Sequence, residues 1–87
     1  MKECYLERYR QMGLRIAMYR KLARLTQEQL AEKIDHGASF IAQIETSANA
    51  PSLDTLFEIA DALGIPADEL LRPLPSTYYQ KPRKNDL

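Results

Sequence analysis

The stretch from Gln27 to Thr46, QEQLAEKIDHGASFIAQIET, restricts the possible folds of this chain more than any other part of it. Two short helical patterns lie there back to back. Leu30, Ala31 and Ile34 recur at helical spacing in the first, and Ile41 and Ile44 do so in the second. Between them Asp35-His36-Gly37 breaks the periodicity with two residues able to tolerate positive φ. Such an arrangement turns one helix steeply across the other through about three or four residues. The crossing needs a small side chain, which Ala31 supplies, and apolar anchors on both helices, which Leu30, Ile34, Ile41 and Ile44 supply. The second helix, Ala38 to Glu45, then lies at the surface with its outer side free.

The flanking sequence is helical as well. Tyr5, Tyr9, Met12, Ile16, Tyr19 and Ala23 share one face, and Gly13 inside that run predicts a break between a helical leader at 1–12 and the main helix. Thr26-Gln-Glu-Gln has the form of a capping box, in which the threonine hydroxyl accepts from a free N–H while Gln29 reaches back. After a loop holding Pro51, Ser52 caps a fourth helix whose inward residues are Leu53, Leu56, Ile59, Ala60 and Leu63, and Gly64 stops it. Pro66 opens a last short helix, with Asp68 and Glu69 in its first turn and Leu70 and Leu71 on its apolar side. No run alternates as a strand does. The expected fold is all-α and compact, with five short helices: the leader at 1–12, a domain at 13–72, and an irregular tail at 73–87 rich in proline, tyrosine and basic residues.

Composition narrows the chemistry. With 87 residues the chain supports one modest core. The single Cys4 excludes an internal disulfide, and with only His36 beside it no structural zinc site can form, so no metal is expected. Cys4 reads as a free thiol and His36 as an ordinary surface residue. There is no paired nucleophile and base, no phosphate-binding glycine loop and no clustered carboxylate pair, which argues against an enzyme, a cofactor or a small-molecule ligand. The absence of a long apolar run and of a signal-peptide pattern predicts a cytoplasmic protein that does not associate with membranes. The net charge of zero is an average over unlike stretches. Residues 1–24 hold seven cations against Glu3 and Glu7, residues 25–71 hold Lys33 against nine acids, and residues 72–87 are basic again. Segregated charge of this kind makes local fields even where the sum vanishes.

From Gly13 to Leu71 the chain resembles the phage Cro/repressor family of helix-turn-helix regulators, also called the xenobiotic-response-element family. The resemblance is carried by GLRIAMYRKLARLTQEQLAEKI, then FIAQIE, then PSLDTLFEIADALGIPADELL. It implies a five-helix, lambda-repressor-like DNA-binding domain with its helix-turn-helix at 27–46, usually a homodimer on a palindromic operator, with the third helix in the major groove of double-stranded DNA. On that reading Ala38, Ser39, Ala42 and Gln43 face the bases. Gln43 would pair bidentately with adenine, and the alanines would touch thymine methyls. Thr26, Gln27, Arg24, Ser47 and Asn49 would meet the DNA backbone, and Arg20 would pair with Glu45. The sequence departs from the family at several places. Asp35 stands where glycine is common, leaving Gly37 to accommodate the bend, and Ser47 replaces the glycine after the glutamate. Phe40 occupies a position usually small and polar, and the third helix holds no lysine or arginine. Electrostatic affinity would therefore come from Arg15, Arg24, Lys33 or the tail.

The resulting expectation is a transcriptional regulator, most simply a repressor that occludes a promoter without an attached ligand-sensing domain. A second apolar stripe on the first helix, Leu14, Met18 and Leu22, is a candidate dimer surface unless the leader folds back over it; Leu74, Tyr78 and Tyr79 of the tail are further candidates. The rival reading is a protein-interaction module, antitoxin-like or adaptor, whose acidic middle docks a basic partner.

Overall fold

Four α-helices and two 3₁₀ turns make up the computed structural model, which describes residues 1–74. The helices are α1 (Leu6–Leu22), α2 (Gln27–Lys33), α3 (Ala38–Glu45) and α4 (Leu53–Leu63); the 3₁₀ turns are Glu3–Tyr5 and Ala67–Leu70. No strand occurs among the described residues. The core joins all four helices through Ile16, Leu30, Ile41, Ile44, Ile59 and Leu70, each fully buried, with Met12, Ala31, Ile34, Leu56 and Ala60 around them. Full burial of one such large aliphatic side chain contributes ~1.5–3 kcal/mol, so these residues dominate what holds the helices together. No helix among the described residues is long and apolar enough to cross a membrane.

The helix starts follow the sequence closely. Thr26 accepts from the Gln29 N–H at 3.0 Å while Gln29 Oε1 accepts from the Thr26 N–H at 2.9 Å, a closed capping box at the head of α2. Ser52 caps α4 by accepting from the Thr55 N–H at 3.2 Å.

The helix ends are less regular in sequence than in structure. Arg24, Asp35, Ser47 and Gly64 each adopt positive φ, between 58° and 70°, immediately after α1, α2, α3 and α4. In each case the next residue's N–H (Leu25, His36, Ala48, Ile65) donates back to a carbonyl near the helix end, of Arg20, Ala31, Gln43 and Ala60 respectively. This is one stop used four times, and only once does glycine occupy it. The bend after α2 is taken by Asp35 rather than by Gly37, whose φ of −85° and ψ of 158° are ordinary extended backbone.

Leu53, expected on the inward face of α4, is 64% exposed, and Leu71, expected on the apolar side of the last helix, is 61% exposed. Three further expectations change. The count of five helices becomes four, because the segment after Pro66 is a 3₁₀ turn of four residues, too short to close i→i−4 bonds. The leader is not a separate element, since α1 runs unbroken through Gly13 and leaves no leader folded back on it. Gly13 is required for packing instead: a Cβ there would lie 2.5 Å from the Glu45 carbonyl oxygen and 2.6 Å from that of Ile44, so α1 seats directly on the backbone end of α3. The third change concerns Arg15, which is buried and spans the end of the domain. Its guanidinium donates to the carbonyls of Arg72, Glu69 (3.1 Å) and Pro73 (3.2 Å), satisfying the acceptors left free where the last turn ends. Gln11 accepts the Leu74 N–H beside it at 3.2 Å, and Leu74 is buried. Tyr78 and Tyr79 lie outside the described residues.

Candidate nucleic-acid interface

α3 has two sharply different edges. Ile41 and Ile44 are wholly buried, which fixes the rotation of the helix about its axis. Ser39 and Gln43 consequently face solvent, with half-buried Ala38 and Ala42 on one flank and half-buried Phe40 on the other. The helix is eight residues long, about 12 Å at 1.5 Å per residue, and would fit the wide groove of B-form DNA.

What holds α3 in place is charged as well as apolar. The Glu45 carboxylate is 6% exposed and accepts three donors: Arg20 Nε at 2.6 Å, Arg20 Nη2 at 3.1 Å and Gln27 Nε2 at 3.0 Å. Arg20 also donates through Nη1 to the Leu25 carbonyl at 2.8 Å. One carboxylate thus ties together the end of α1, the first turn of α2 and the end of α3. Gln27 has one N–H of its amide committed to Glu45 and the rest of the group half-exposed, and Thr26 is exposed. Both lie at the start of α2, where backbone N–H groups and the helix dipole favour an anion.

The loop after α3 folds back on it. Ala48 and Asn49 donate their N–H groups to the Gln43 carbonyl at 2.8 and 3.2 Å, and the Thr46 hydroxyl donates to the Ala42 carbonyl at 2.9 Å. Asn49 thereby comes beside the Gln43 side chain. Ser47 is half-buried, its hydroxyl donating to the Thr46 carbonyl at 2.6 Å. Arg24 and Lys33 are exposed and carry free charge near α2, whereas Arg15 is spent inside the domain and cannot serve a polyanion. Among the described candidate dimer residues only Leu22 is open, at 70% exposure; Leu14 and Met18 are half-buried and Leu74 is buried.

Sequence reasoning missed two features here. His36 stacks on Phe40 with ring centroids 4.2 Å apart and planes 14° from parallel, so the turn residue forms a ledge with the helix residue four positions on. The i, i+4 spacing of two aromatic rings across a helix start was the available signal. The Asn49–Gln43 pairing had none, since it depends on how the loop closes.

Comparison with known proteins gives a consistent result. A family model described as helix-turn-helix matches residues 16–70. The chain is 50% identical over 54 residues to the immunity repressor protein of Bacillus phage phi105, covering 62% of this chain and 38% of that protein, so it spans well under half of that relative's length. It is 39% identical over 61 residues to YazB of Bacillus subtilis (strain 168), described as an uncharacterized HTH-type transcriptional regulator, covering 70% of this chain and 88% of that one. The crystal structure of the P22 c2 repressor with a synthetic operator superposes with a TM-score of 0.67 at 31% identity, over 70% of this chain and 92% of that chain.

Proposed function

Because the chain belongs to the helix-turn-helix family, we propose that it is a transcriptional regulator that binds double-stranded DNA and represses by laying α3 in the major groove. The observation that carries this is the division of α3: Ile41 and Ile44 fully inside, Ser39 and Gln43 exposed, on a helix locked at its far end by Glu45. The named activities of its relatives support the same reading, since one is a phage immunity repressor and the superposed structure is a repressor on its operator. Ala38, Ser39, Ala42 and Gln43 contact bases; Thr26, Gln27, Arg24, Ser47 and Asn49 lie along the phosphates. The protein acts in the cytoplasm as a homodimer on a palindromic site, pairing through an apolar surface that includes Leu22. Sedimentation at micromolar concentration tests the dimer: Leu22→Glu should turn a two-chain species into a single chain, and a wild-type chain that sediments as a monomer removes this part of the proposal.

DNA binding itself is tested by titrating a labelled duplex at rising salt. Because phosphate contacts release counterions, affinity should fall ~10- to ~100-fold between ~50 and ~200 mM salt. An affinity for duplex that is absent, or flat with salt, overturns the reading.

One surface favours a second reading. On the outer side of α4, Leu53 and Phe57 are 64% and 48% exposed, and Asp54, Glu58 and Asp61 are exposed on the same helix, which carries no cation. That face repels a polyanion and suits a basic protein, so a chain that fails the duplex titration would be an interaction module built on this scaffold.

A further inference from the structure

Gln43 is a more restricted reader than its residue type implies, and the restriction comes from Asn49. The Asn49 backbone N–H donates to the Gln43 carbonyl at 3.2 Å, placing the two side chains together at the edge of α3. The Asn49 side chain is oriented independently, because its Oδ1 accepts the Ala50 N–H at 3.0 Å. With the oxygen committed there, Nδ2 is the atom that faces Gln43. A donor facing an amide selects that amide's oxygen, and Nδ2 lies 3.5 Å from Gln43 Oε1. The exposed end of Gln43 is then its Nε2, which carries two donors and no acceptor. At 3.5 Å the bond is long in water, and its strength rises when a duplex displaces solvent from around it.

Resting on the reading that Gln43 meets base edges, we propose that Asn49 is a positioning residue that makes Gln43 a hydrogen-bond donor toward DNA, directing it to bases that present an acceptor and away from cytosine. In the major groove guanine presents two acceptors, N7 and O6, and thymine presents O4. Adenine presents N7 as an acceptor beside its amino donor, and the second lone pair of Gln43 Oε1 can still take that donor, whereas cytosine presents only an amino donor and offers nothing to an outward Nε2. Asn49, placed along the phosphates, is close enough to Gln43 to hold it as well.

The polarity can be reversed with a near-isosteric change. In Asn49→Asp one carboxylate oxygen still accepts the Ala50 N–H, while the other now accepts from Gln43 Nε2. The Gln43 amide turns over and presents its oxygen outward. Binding sites are selected from a randomised duplex pool with the full 87-residue chain, as wild type, Gln43→Ala, Asn49→Ala and Asn49→Asp, each first checked for an unchanged thermal melt. Gln43→Ala identifies the base position that Gln43 reads, by flattening its preference.

At that position the wild type should reject cytosine, Asn49→Ala should lower that discrimination by ~3- to ~10-fold, and Asn49→Asp should admit cytosine while losing guanine and thymine. The added negative charge weakens binding to all duplexes alike and does not alter a ratio between bases. An Asn49→Asp chain that still rejects cytosine at that position overturns the positioning role and leaves Gln43 as a reader. If Gln43→Ala flattens no position, or the wild-type chain selects no sequence, the reader itself fails and the inference falls with it.

Discussion

Glu45 joins three helices through one charged group. Its nearly buried carboxylate takes two bonds from Arg20 and one from Gln27, so removing Arg20 would leave a charge inside the protein with only an amide beside it. We expect Arg20→Ala to cost ~3–5 kcal/mol, and at ~4–8 °C per kcal/mol for a domain this small the melting temperature should drop by more than ~10 °C. A melt within a degree or two of wild type would show that the pair is not structurally important. Gly13 gives the opposite lesson about substitution. Alanine at an exposed helix site is worth ~1 kcal/mol more than glycine, yet here the added methyl would meet two backbone carbonyl oxygens that no rotamer change can move aside. The overlap should win, and Gly13→Ala should lower the melting temperature, which differential scanning calorimetry will read directly. Nothing in the sequence alone revealed this. A glycine within a helical run looks like a break until the backbone on the other side of it is known.

At the level of the helices, the starts of α2 and α4 were legible, and of the stops only Gly64 after α4 was. Thr26 and Ser52 announce α2 and α4 by residue type, because a side-chain oxygen must sit where the free N–H groups are. The inward face of α3 and that of α4 apart from Leu53 were legible from spacing, and with them the outer edge of α3, since Ile41 and Ile44 allow only one rotation. The stops at Arg24, Asp35 and Ser47 were obscured because each uses a left-handed backbone conformation without glycine. An L-residue pays ~1–2 kcal/mol for that conformation, partly offset by glycine's larger loss of freedom on folding, ~0.5–1 kcal/mol. Ser47→Gly should therefore stabilise the chain by ~0.5–1 kcal/mol, seen as a higher denaturant midpoint with an unchanged slope. A lower midpoint would mean that the Ser47 hydroxyl matters more than its backbone angle.

Across the whole molecule, the first and last described segments are tied by polar bonds. Arg15 holds the carbonyls of Glu69, Arg72 and Pro73, while the Tyr19 hydroxyl donates to Glu69 Oε2 at 2.7 Å. That bond to Glu69, and then burial, raise the Tyr19 pKa above its ordinary value of 10.0. A group whose pKa is higher folded than unfolded stabilises fully below the unfolded value and loses that contribution as pH rises through the folded one. Stability should accordingly decline above pH ~10, and Tyr19→Phe should flatten that part of a melting-temperature profile; an alkaline limb identical in both chains would place its origin elsewhere. The same closure explains why charge counting along the sequence misjudged the cations near the N-terminus. Arg15 and Arg20 are consumed inside the domain, while Arg24 and Lys33 stay exposed near α2 along with Lys2, Arg8 and Lys21 elsewhere among the described residues.

The direct seating of α1 against the carbonyl end of α3 at Gly13 has a consequence for retargeting. Backbone rests on backbone at that joint, so the tilt of α3 is insensitive to which side chains occupy its far side. New operators should be reachable by exchanging residues 38, 39, 42 and 43 alone, as interchangeable type in a fixed press, and a library varied only there should melt within a few degrees of its parent.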